Sequence, residues 1–416
     1  MERIFFLLST VVAVASAAGS WTDTTFVAPS LGFHNTVAVF LPEGYEPGGT
    51  LDYQLLIWLH GWGSHYWNDT TALRVAHDNL VASGDIAPCI MVSPEGWCLP
   101  YEGCMWANSE LYGNYEGYVV DDIITFMDTT YCTVGDQARY IMGSSMGGSG
   151  ALDIALRHQE LFKCVCTTAA VPDMVVCMPY VIAEVLIECP ETEPPYTFDW
   201  GNGFYTDAEF MYAGGYSPNL AAPDSVDFPI DENGLLIDSV YTEWELYNAA
   251  HMVRLNPPSD LMIGLTWGLS DPQAGLVECN YAFADTLSEL GLPHTVYTDN
   301  SGHGYNIMRL SQMMLIAMGW SGINEDPASA SARLSVKPNP TTGPAAIGFR
   351  LEARSRVLLE VYDVSGRLVG TVLDATVEAG DHAVDFDGTG LGSGVYLLRM
   401  SEGGRISTSS LVLMDR

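Results

Sequence analysis

Short apolar runs alternate with longer amphipathic runs over most of the chain before residue 320. Several of the short runs are hydrophobic nearly throughout, which is typical of strands covered on both faces of a sheet. The amphipathic runs at 118–131 and 280–291 have the spacing of helices. This alternation predicts an α/β domain with a mostly parallel sheet. The predicted strands are 35–41, 53–60, 89–95, 139–143, 163–170, 260–268 and 294–300.

The pattern changes twice along the chain. At 178–250, many aromatic residues stand among prolines and acidic residues, and an insertion of this length between core strands is expected to form a lid or a pocket wall. At 334–416, short alternating runs separated by Gly, Ser and Asp turns predict a small β-sandwich. A stretch at 321–333, rich in Ser and Ala, is interpreted as the linker between the two domains.

The first residues, MERIFFLLSTVVAVASAAGS, combine a charged start, an apolar run and small side chains around Ala15. This pattern is typical of a secretory signal peptide, here 1–18, cleaved after Ala17 or Ala18. The apolar run is too short to span a bilayer, and no later stretch approaches the length of a spanning helix. The sequence therefore predicts a soluble, exported protein that is secreted or held at the cell surface.

The formal net charge is −35, and it is distributed unevenly. Residues 1–332 hold 7 Lys and Arg against 41 Asp and Glu, whereas 333–416 hold 9 against 10. No Lys or Arg occurs from Cys164 to Val253. Such a field repels nucleic acid and anionic membranes, so no nucleic-acid partner is expected. We interpret the acidic surface as solubilising rather than as a cation-binding site.

Nine cysteines are present, and an exported protein can keep disulfides. The short separations of Cys98 from Cys104 and of Cys177 from Cys189 favour two small disulfide loops. Two further cysteines alternate in the apolar run at 163–170, where at least one is expected to be an ordinary buried thiol. Metal-ligand spacing such as C-x-x-C is absent from the sequence, so no metal site is predicted.

The run RYIMGSSMGGSG contains the pattern G-x-S-x-G with Ser145 at its centre. An apolar strand precedes it and a helical pattern follows it, which is the arrangement that presents a hydrolase nucleophile at a helix N-terminus. The backbone amide of Met146 would then point towards an oxyanion formed beside the serine. A plain structural turn is the alternative interpretation.

A serine nucleophile needs a base, and the base needs an orienting carboxylate. His303, in a glycine-flanked loop after the last predicted strand, is the candidate base. Asp271 follows the strand at 260–268 and is the candidate acid, with Asp260 and Asp299 as alternatives. The other histidines after the serine are assigned to helical or strand positions: His158, His251 and His294.

A second oxyanion donor normally comes from the loop after an early strand. LLIWLHGWGSHYW supplies such a loop, and the backbone amide of Trp62 is the candidate donor. His60 precedes the serine in the chain and is interpreted as orienting this loop. No organic cofactor is expected.

Residues 51–318 resemble the esterase D family of α/β-hydrolases, which includes S-formylglutathione hydrolases, antigen 85 mycolyltransferases and family 1 carbohydrate esterases. The resemblance is carried by LLIWLHGWGSHYW, by the serine turn with its flanking helices, by GLSDP and by SGHGYNIM. It implies an α/β-hydrolase fold for a catalytic domain at 19–320. The long insertion and the export signal depart from the family pattern, so the substrate is not inherited. The implied site is a Ser145–Asp271–His303 triad with the amides of Trp62 and Met146 as the oxyanion hole.

The tail segments KPNPTTG, LEVYDVSGRLV and GLGSGVYLLRM resemble the C-terminal sorting domain of the type IX secretion system. The resemblance implies that the secretion machinery is a partner and that the tail is removed after passage through the outer membrane. An accessory β-sandwich without this role is the alternative.

These observations predict a secreted serine esterase acting on carboxylic esters, with acyl or feruloyl groups on polysaccharides as candidate substrates. Two alternatives stay open. The first is acyl transfer to an alcohol, as in the mycolyltransferases. The second is glycan binding without catalysis on a hydrolase scaffold.

Overall fold

The computed structural model describes residues 19–135 and 138–319, and most of 334–413. The signal peptide expected at 1–18 and the linker expected at 321–333 lie outside the described residues. The chain divides into two compact units, 1–320 and 321–416. The gaps within the second unit are 338–340, 342, 352–353, 364–367, 389, 393 and 403–404.

The strands of the first unit are β1 (Ser20–Ala28), β2 (Phe33–Leu41), β3 (Gln54–Leu59), β4 (Cys89–Pro94), β5 (Asn108–Ser109), β6 (Gly113–Asn114), β7 (Arg139–Ser144), β8 (Cys164–Thr168), β9 (Met262–Gly268) and β10 (His294–Asp299). Eight of these described strands form one sheet in the order β1-β2-β4-β3-β7-β8-β9-β10. Pairing is parallel from β4 across to β10, and antiparallel at β1, β2 and the β2–β4 step. The predicted mostly parallel sheet is confirmed, and all seven predicted strands are present. Of the described strands in this sheet, β1 was missed; it pairs along its whole length with β2. The short strands β5 and β6, which form a separate pair, were not predicted either.

Both faces of this sheet are covered, as the apolar strands predicted. In β3, Leu55 and Ile57 pack into the cluster on one face, while Leu56 and Trp58 pack into the cluster on the other. This alternation follows from the two-residue period of a strand. Burial on both faces fixes the register, so the loops at the carboxyl ends of the strands start from well-defined positions.

The helices of the first unit are α1 (Thr70–Ser83), α2 (Tyr115–Gly117), α3 (Ile124–Thr130), α4 (Met146–Arg157), α5 (Met174–Glu188), α6 (Phe204–Tyr216), α7 (Asp238–Trp244), α8 (Ala249–Leu255), α9 (Leu276–Glu289) and α10 (Ile307–Met318). A π-helical turn at Tyr118–Ile123 joins α2 to α3. In the part of the chain that the structure describes, none of the helices has both the length and the apolar character needed to cross a bilayer.

The segment between β8 and β9 contains α5 to α8. Many of its aromatic side chains pack on one another: Tyr216 stacks on Tyr247 with ring centroids 4.1 Å apart, and Phe198 stacks on Phe228 at 4.9 Å. These rings therefore form a small core of the insertion itself. Trp200 and Phe204 are different, because they are 39% and 47% exposed.

All nine cysteines are free thiols in the structure, so neither expected disulfide is present. The thiols of Cys98 and Cys104 are within hydrogen-bonding distance of each other. The pairing of Cys177 with Cys189 was wrong, because both belong to the α5 segment and stand twelve residues apart, about 18 Å along a helix. The thiol of Cys177 instead meets that of Cys279 on α9.

The second unit contains β11 (Leu334–Lys337), β12 (Ala345–Leu351), β13 (Ser355–Asp363), β14 (Leu368–Val377), β15 (Gly380–Phe386), β16 (Gly394–Glu402) and β17 (Arg405–Leu413). These strands form two sheets, β11-β12-β15 and β14-β13-β16-β17. Alternate residues of both sheets, such as Ile347 and Leu359, meet in one buried cluster. The all-β sandwich expected for the tail is therefore confirmed.

The separate cores lead to a prediction for a truncated chain. The buried clusters of the first unit contain no residue beyond Met318. A 19–320 fragment should therefore unfold cooperatively, with a Tm within about 3 °C of the corresponding transition in the 19–416 chain. Thermal unfolding followed by circular dichroism measures both. Loss of the cooperative transition in the fragment would contradict the separation of the cores.

Candidate active site

Ser145 occupies the turn between β7 and α4, with φ 55° and ψ −120°. Positive φ is strained for a residue with a side chain and persists only where surrounding contacts impose it. One such contact is the Ser145 amide, which donates a 2.8 Å hydrogen bond to the Thr168 carbonyl at the end of β8. The turn therefore presents the hydroxyl group at the carboxyl edge of the sheet.

Close approach of the chain at Gly147 makes this turn possible. A Cβ atom at that position would overlap the Leu59 carbonyl oxygen at the end of β3. Because glycine has no Cβ, the first turn of α4 lies directly against β3. The serine turn is thus held between two neighbouring strands.

Two further side chains form a hydrogen-bond chain with the serine hydroxyl group. His303 Nε2 lies 2.9 Å from Ser145 Oγ, and His303 Nδ1 lies 2.9 Å from Asp271 Oδ2. A carboxylate only accepts hydrogen bonds, so Nδ1 donates to Asp271 and Nε2 is left to accept from the serine hydroxyl. The Asp271 side chain is fully buried, and its Oδ1 accepts a 3.0 Å bond from the Gln273 amide.

Backbone contacts between two loops bring the acid and the imidazole together. The Leu269 amide donates to the Asp299 carbonyl at 2.7 Å, and the Ser270 amide donates to the Ser301 carbonyl at 3.1 Å. Gly268 allows this contact, because a Cβ there would overlap the Ser301 carbonyl oxygen. The loop that follows β9 and the loop that follows β10 therefore form one hydrogen-bonded unit.

Arg309 holds the loop that follows β10 and contains His303, which is called the histidine loop below. This fully buried residue donates to both Asp299 carboxylate oxygens, at 2.5 and 3.2 Å, and to the Gly304 carbonyl at 3.3 Å. It also donates to the Ser301 hydroxyl and, at 3.3 Å, to Thr168 Oγ1. Arg309 was not among the residues predicted from the sequence, where the available signal was a lone arginine within the apolar run of α10.

The hydrogen bonds from Arg309 and Ser301 also lower the pKa of Asp299. Burial alone would raise the pKa of its carboxyl group, but hydrogen bonds from Arg309 and Ser301 outweigh burial, so the pKa lies below its ordinary value. Asp299, an alternative acid from the sequence, is thus engaged with Arg309 rather than with His303.

The two candidate oxyanion amides lie beside the serine. Met146 is the first residue of α4, and Trp62 is in the loop after β3. Within the described residues, neither amide donates a hydrogen bond. The loop is close to the serine, since a Cβ at Gly61 would lie 3.5 Å from the Ser145 Cβ. His60 is buried and its Nδ1 lies 2.8 Å from the Gly61 carbonyl oxygen, in keeping with the orienting role expected for it.

The other candidates from the sequence stand apart from this cluster. His158 contacts Glu116 at 2.8 Å, and this hydrogen bond raises the pKa of His158. His251 lies in α8, and His294 begins β10. Asp260 is exposed. Among the described side chains, only His303 is hydrogen-bonded to the Ser145 hydroxyl.

A pocket of about 170 Å³ opens beside Ser145 and His303. Its wall is mostly apolar and aromatic, with Trp62 and Met146 on the side of the sheet. The insertion between β8 and β9 supplies much of the opposite wall, including Cys177, Val181, Phe204, Tyr205, Glu209 and Tyr212.

Comparison with protein families identifies the first unit. The Esterase family model matches residues 28–287, which is more than half of the chain and includes Ser145 and Asp271. The chain belongs to the Esterase family. The resemblance of the catalytic domain is thereby confirmed, and the enzyme class is a carboxylic ester hydrolase of the serine esterase type.

Solved structures similar to this esterase include three hydrolases. A ferulic acid esterase has a TM-score of 0.50 at 18% identity, covering 73% of this chain and 98% of its own. A CE1 ferulic acid esterase from Anaeromyces mucronatus has a TM-score of 0.47 at 15% identity, covering 74% and 93%. An S-formylglutathione hydrolase from Agrobacterium tumefaciens has a TM-score of 0.49 at 15% identity, covering 72% and 93%. At such identities, the likeness to the first of these establishes the fold alone.

The tail of the esterase matches a second family model, the secretion system C-terminal sorting domain, over residues 335–414. The resemblance of the tail is thereby confirmed. A domain of this type indicates secretion or attachment at the cell surface.

The contact at Gly147 predicts the effect of one added methyl group. Gly147→Ala should disrupt the packing of α4 on β3 and lower the Tm by several degrees, because the Leu59 carbonyl belongs to the rigid backbone of a central strand. Differential scanning fluorimetry measures this shift. Gly304→Ala is the matched control, since its Cβ would meet no atom within 4 Å. Equal Tm values for the two variants would refute the steric argument.

The Arg309–Asp299 pair predicts a loss of stability. Asp299→Asn should cost about 3 kcal/mol, because it leaves a buried guanidinium without its counter-ion. The pKa of Asp299 is lowered by folding, so its contribution is present above about pH 4 and is lost as pH falls through the lowered pKa. Urea unfolding at pH 7 and at acidic pH measures both effects. The exposed Asp260→Asn variant is the control, and a D299N stability equal to it at pH 7 would contradict the role of the pair.

Proposed function

We propose that this protein is an exported serine esterase in which Ser145, His303 and Asp271 form the catalytic triad. The observation that carries the proposal is the continuous hydrogen-bond chain from the serine hydroxyl through the imidazole to a buried carboxylate. An imidazole in this arrangement can accept the serine proton, while the carboxylate holds the ring in the required tautomer.

Acylation begins with attack of Ser145 Oγ on the ester carbonyl carbon. The hydroxyl proton passes to His303 Nε2, and the carbonyl π electrons move to the oxygen. The tetrahedral intermediate then collapses, the bond to the alcohol oxygen breaks, and the alcohol leaves with the proton from His303. The acyl group stays on Ser145 as an ester.

The Trp62 and Met146 amides would stabilise the negative charge that forms on the carbonyl oxygen. Both N–H groups lack hydrogen-bond partners within the described chain, so they are available to this oxygen. Met146 also stands at the N-terminus of α4, where the helix dipole favours negative charge. A single oxyanion donor of this kind typically contributes about 10²–10³ in rate.

Deacylation repeats the same steps with water. His303 takes a proton from the water molecule, the resulting hydroxide attacks the acyl carbon, and the proton is returned to Ser145 Oγ as the carboxylic acid leaves. Throughout, Asp271 remains ionised and stabilises the imidazolium that forms.

The substrate is proposed to be a neutral ester, with acyl or feruloyl groups on polysaccharides as the first to test. The acidic surface disfavours anionic substrates. Trp200 and Phe204 expose aromatic surface beside Trp62, with ring centroids 6.3 and 5.6 Å from that residue, and can stack on a sugar or phenolic ring. One of the structurally similar enzymes is also named as a ferulic acid esterase.

Export is proposed to follow the type IX route. The match of 335–414 to a secretion sorting domain supports this route, and the signal-like start of the chain agrees with it. The secretion machinery would then be the protein partner of the tail, which would be removed when the esterase reaches the surface.

The mechanism predicts distinct effects for two substitutions. Ser145→Ala should abolish turnover of p-nitrophenyl acetate with nearly unchanged Tm, because it removes only the nucleophile. Asp271→Asn should lower kcat by about 10²–10⁴, because the imidazole loses its orienting acceptor. Initial rates and thermal unfolding of both variants provide the measurement. Full activity of S145A would refute the mechanism, and full activity of D271N would refute the assignment of the acid.

A further inference from the structure

One carboxyl group of the pocket wall has no part in the mechanism above. Glu209 lies in α6, is 4% exposed, and lines the same pocket as Ser145 and His303. Its Oε2 atom is buried and has no hydrogen-bond partner among the residues described. Buried polar atoms nearly always have a partner in folded proteins, so an unpaired oxygen on a pocket wall points to a ligand group.

The fold does not use this carboxyl group as a cap or an ion pair. Glu188, in the same insertion, accepts hydrogen bonds from the Tyr205 amide at 2.9 Å and the Thr206 amide at 2.7 Å. Asp153 accepts one from the Tyr216 hydroxyl at 3.1 Å. Both of these acids have structural partners. Glu209, by contrast, lines the cavity, and its Oε2 atom has no hydrogen-bond partner among the described residues.

The charge around Glu209 favours a neutral ligand. None of the described residues that line the pocket is a Lys or Arg. Burial therefore raises the pKa of Glu209 to about 8. Burial also raises the pKa of the Tyr212 and Tyr241 hydroxyls, and the charge of the Glu209 carboxyl group is a smaller cause of both shifts. At neutral pH the carboxyl group is mostly protonated and can both donate and accept a hydrogen bond, as a hydroxyl group requires.

The space beside this carboxyl group suits one aromatic ring. The pocket volume is about 170 Å³, and an apolar cavity of about 150 Å³ accepts benzene. Tyr205 and Tyr212 stand four residues before and three residues after Glu209, so all three share one face of α6. The Tyr205 hydroxyl is engaged by the Ala274 amide at 3.0 Å. Within the described part of this aromatic wall, the Glu209 Oε2 atom is a buried polar atom without a hydrogen-bond partner.

We propose that Glu209 is the specificity-determining residue of the pocket, where its carboxyl group hydrogen-bonds a ring hydroxyl of an aromatic acyl group bound at Ser145. The inference rests on the proposed function, because it positions the acyl group by the nucleophile. The acyl part is assigned, rather than the alcohol, because the alcohol leaves beside His303. The His303 side chain is 26% exposed, whereas Glu209 lies on the buried wall.

The test compares methyl 4-hydroxycinnamate with methyl cinnamate, which lacks only the ring hydroxyl. Wild-type enzyme should favour the hydroxylated ester by about tenfold or more in kcat/KM. Glu209→Leu should bring this ratio to about one, mainly through a higher KM for the hydroxylated ester. Glu209→Gln should retain part of the preference, because an amide also donates and accepts. A wild-type ratio near unity, or an unchanged ratio in the leucine variant, would overturn the proposal.

A matched control comes from the same insertion. Glu243 is exposed on α7, so Glu243→Leu should keep the wild-type ratio. If both leucine variants lost the preference for the hydroxylated ester equally, the assignment to Glu209 would be overturned.

A binding measurement separates this proposal from the catalytic one. Calorimetric titration of Ser145→Ala protein with the two esters should give about tenfold tighter binding of the hydroxylated ester, and Glu209→Leu in that background should remove the difference. Equal Kd values in the S145A protein would overturn the role of Glu209. Turnover of p-nitrophenyl acetate by wild-type protein tests the catalytic proposal alone, so the two failures are distinguishable.

Discussion

The contact between Gly147 and the Leu59 carbonyl is the constraint on which the rest of the site depends. It lets α4 begin directly against β3, and the connection from β7 must then pass through a positive φ at Ser145. Such a conformation costs about 1–3 kcal/mol and survives only where other contacts enforce it. Here the hydrogen bond from the Ser145 amide to Thr168 and the buried packing of α4 enforce it. The strain thus keeps the hydroxyl group at the open edge of the sheet, away from the core.

His303 reaches the Ser145 hydroxyl because hydrogen bonds from the buried Arg309 guanidinium, rather than regular secondary structure, hold the histidine loop in place. Arg309 is fully buried, and a buried guanidinium requires several acceptors to offset its lost hydration. The acceptors it uses belong to the histidine loop and to the end of β8, next to the carbonyl that binds the Ser145 amide. Arg309 therefore links the position of the His303 loop to that of the Ser145 turn, although none of its described hydrogen bonds is to either of these two residues.

The sequence predicted best those features that depend on residues adjacent in the chain. The glycines around Ser145 and His303 and the apolar strands before them identified both residues and the sheet, and the structure brings the two side chains together with Asp271. Features that depend on contacts between residues far apart in the chain gave weaker signals in the sequence. The β1 strand is half exposed and lacks a continuous apolar run. Arg309 was not predicted, because a lone arginine in an apolar run does not show which distant residues it will contact. The expected pairing of Cys177 failed because short sequence separation along a helix does not bring side chains together.

Asp271 and His303 differ from the Glu209 carboxyl group in how completely their polar atoms are satisfied, and this difference fits the tasks proposed for them. Groups with the catalytic role proposed here must hold one geometry before the substrate arrives, and Asp271, His303 and the loops that carry them are hydrogen-bonded to one another. A group that selects a substrate must instead keep its hydrogen-bonding capacity free. An unpaired buried carboxyl group costs about 1–3 kcal/mol of stability, and a ligand that supplies the missing partner recovers it on binding. A ligand that lacks the hydroxyl leaves the carboxyl group unpaired and does not recover this free energy. The pocket would therefore bind the hydroxylated ligand more tightly than the ligand without the hydroxyl.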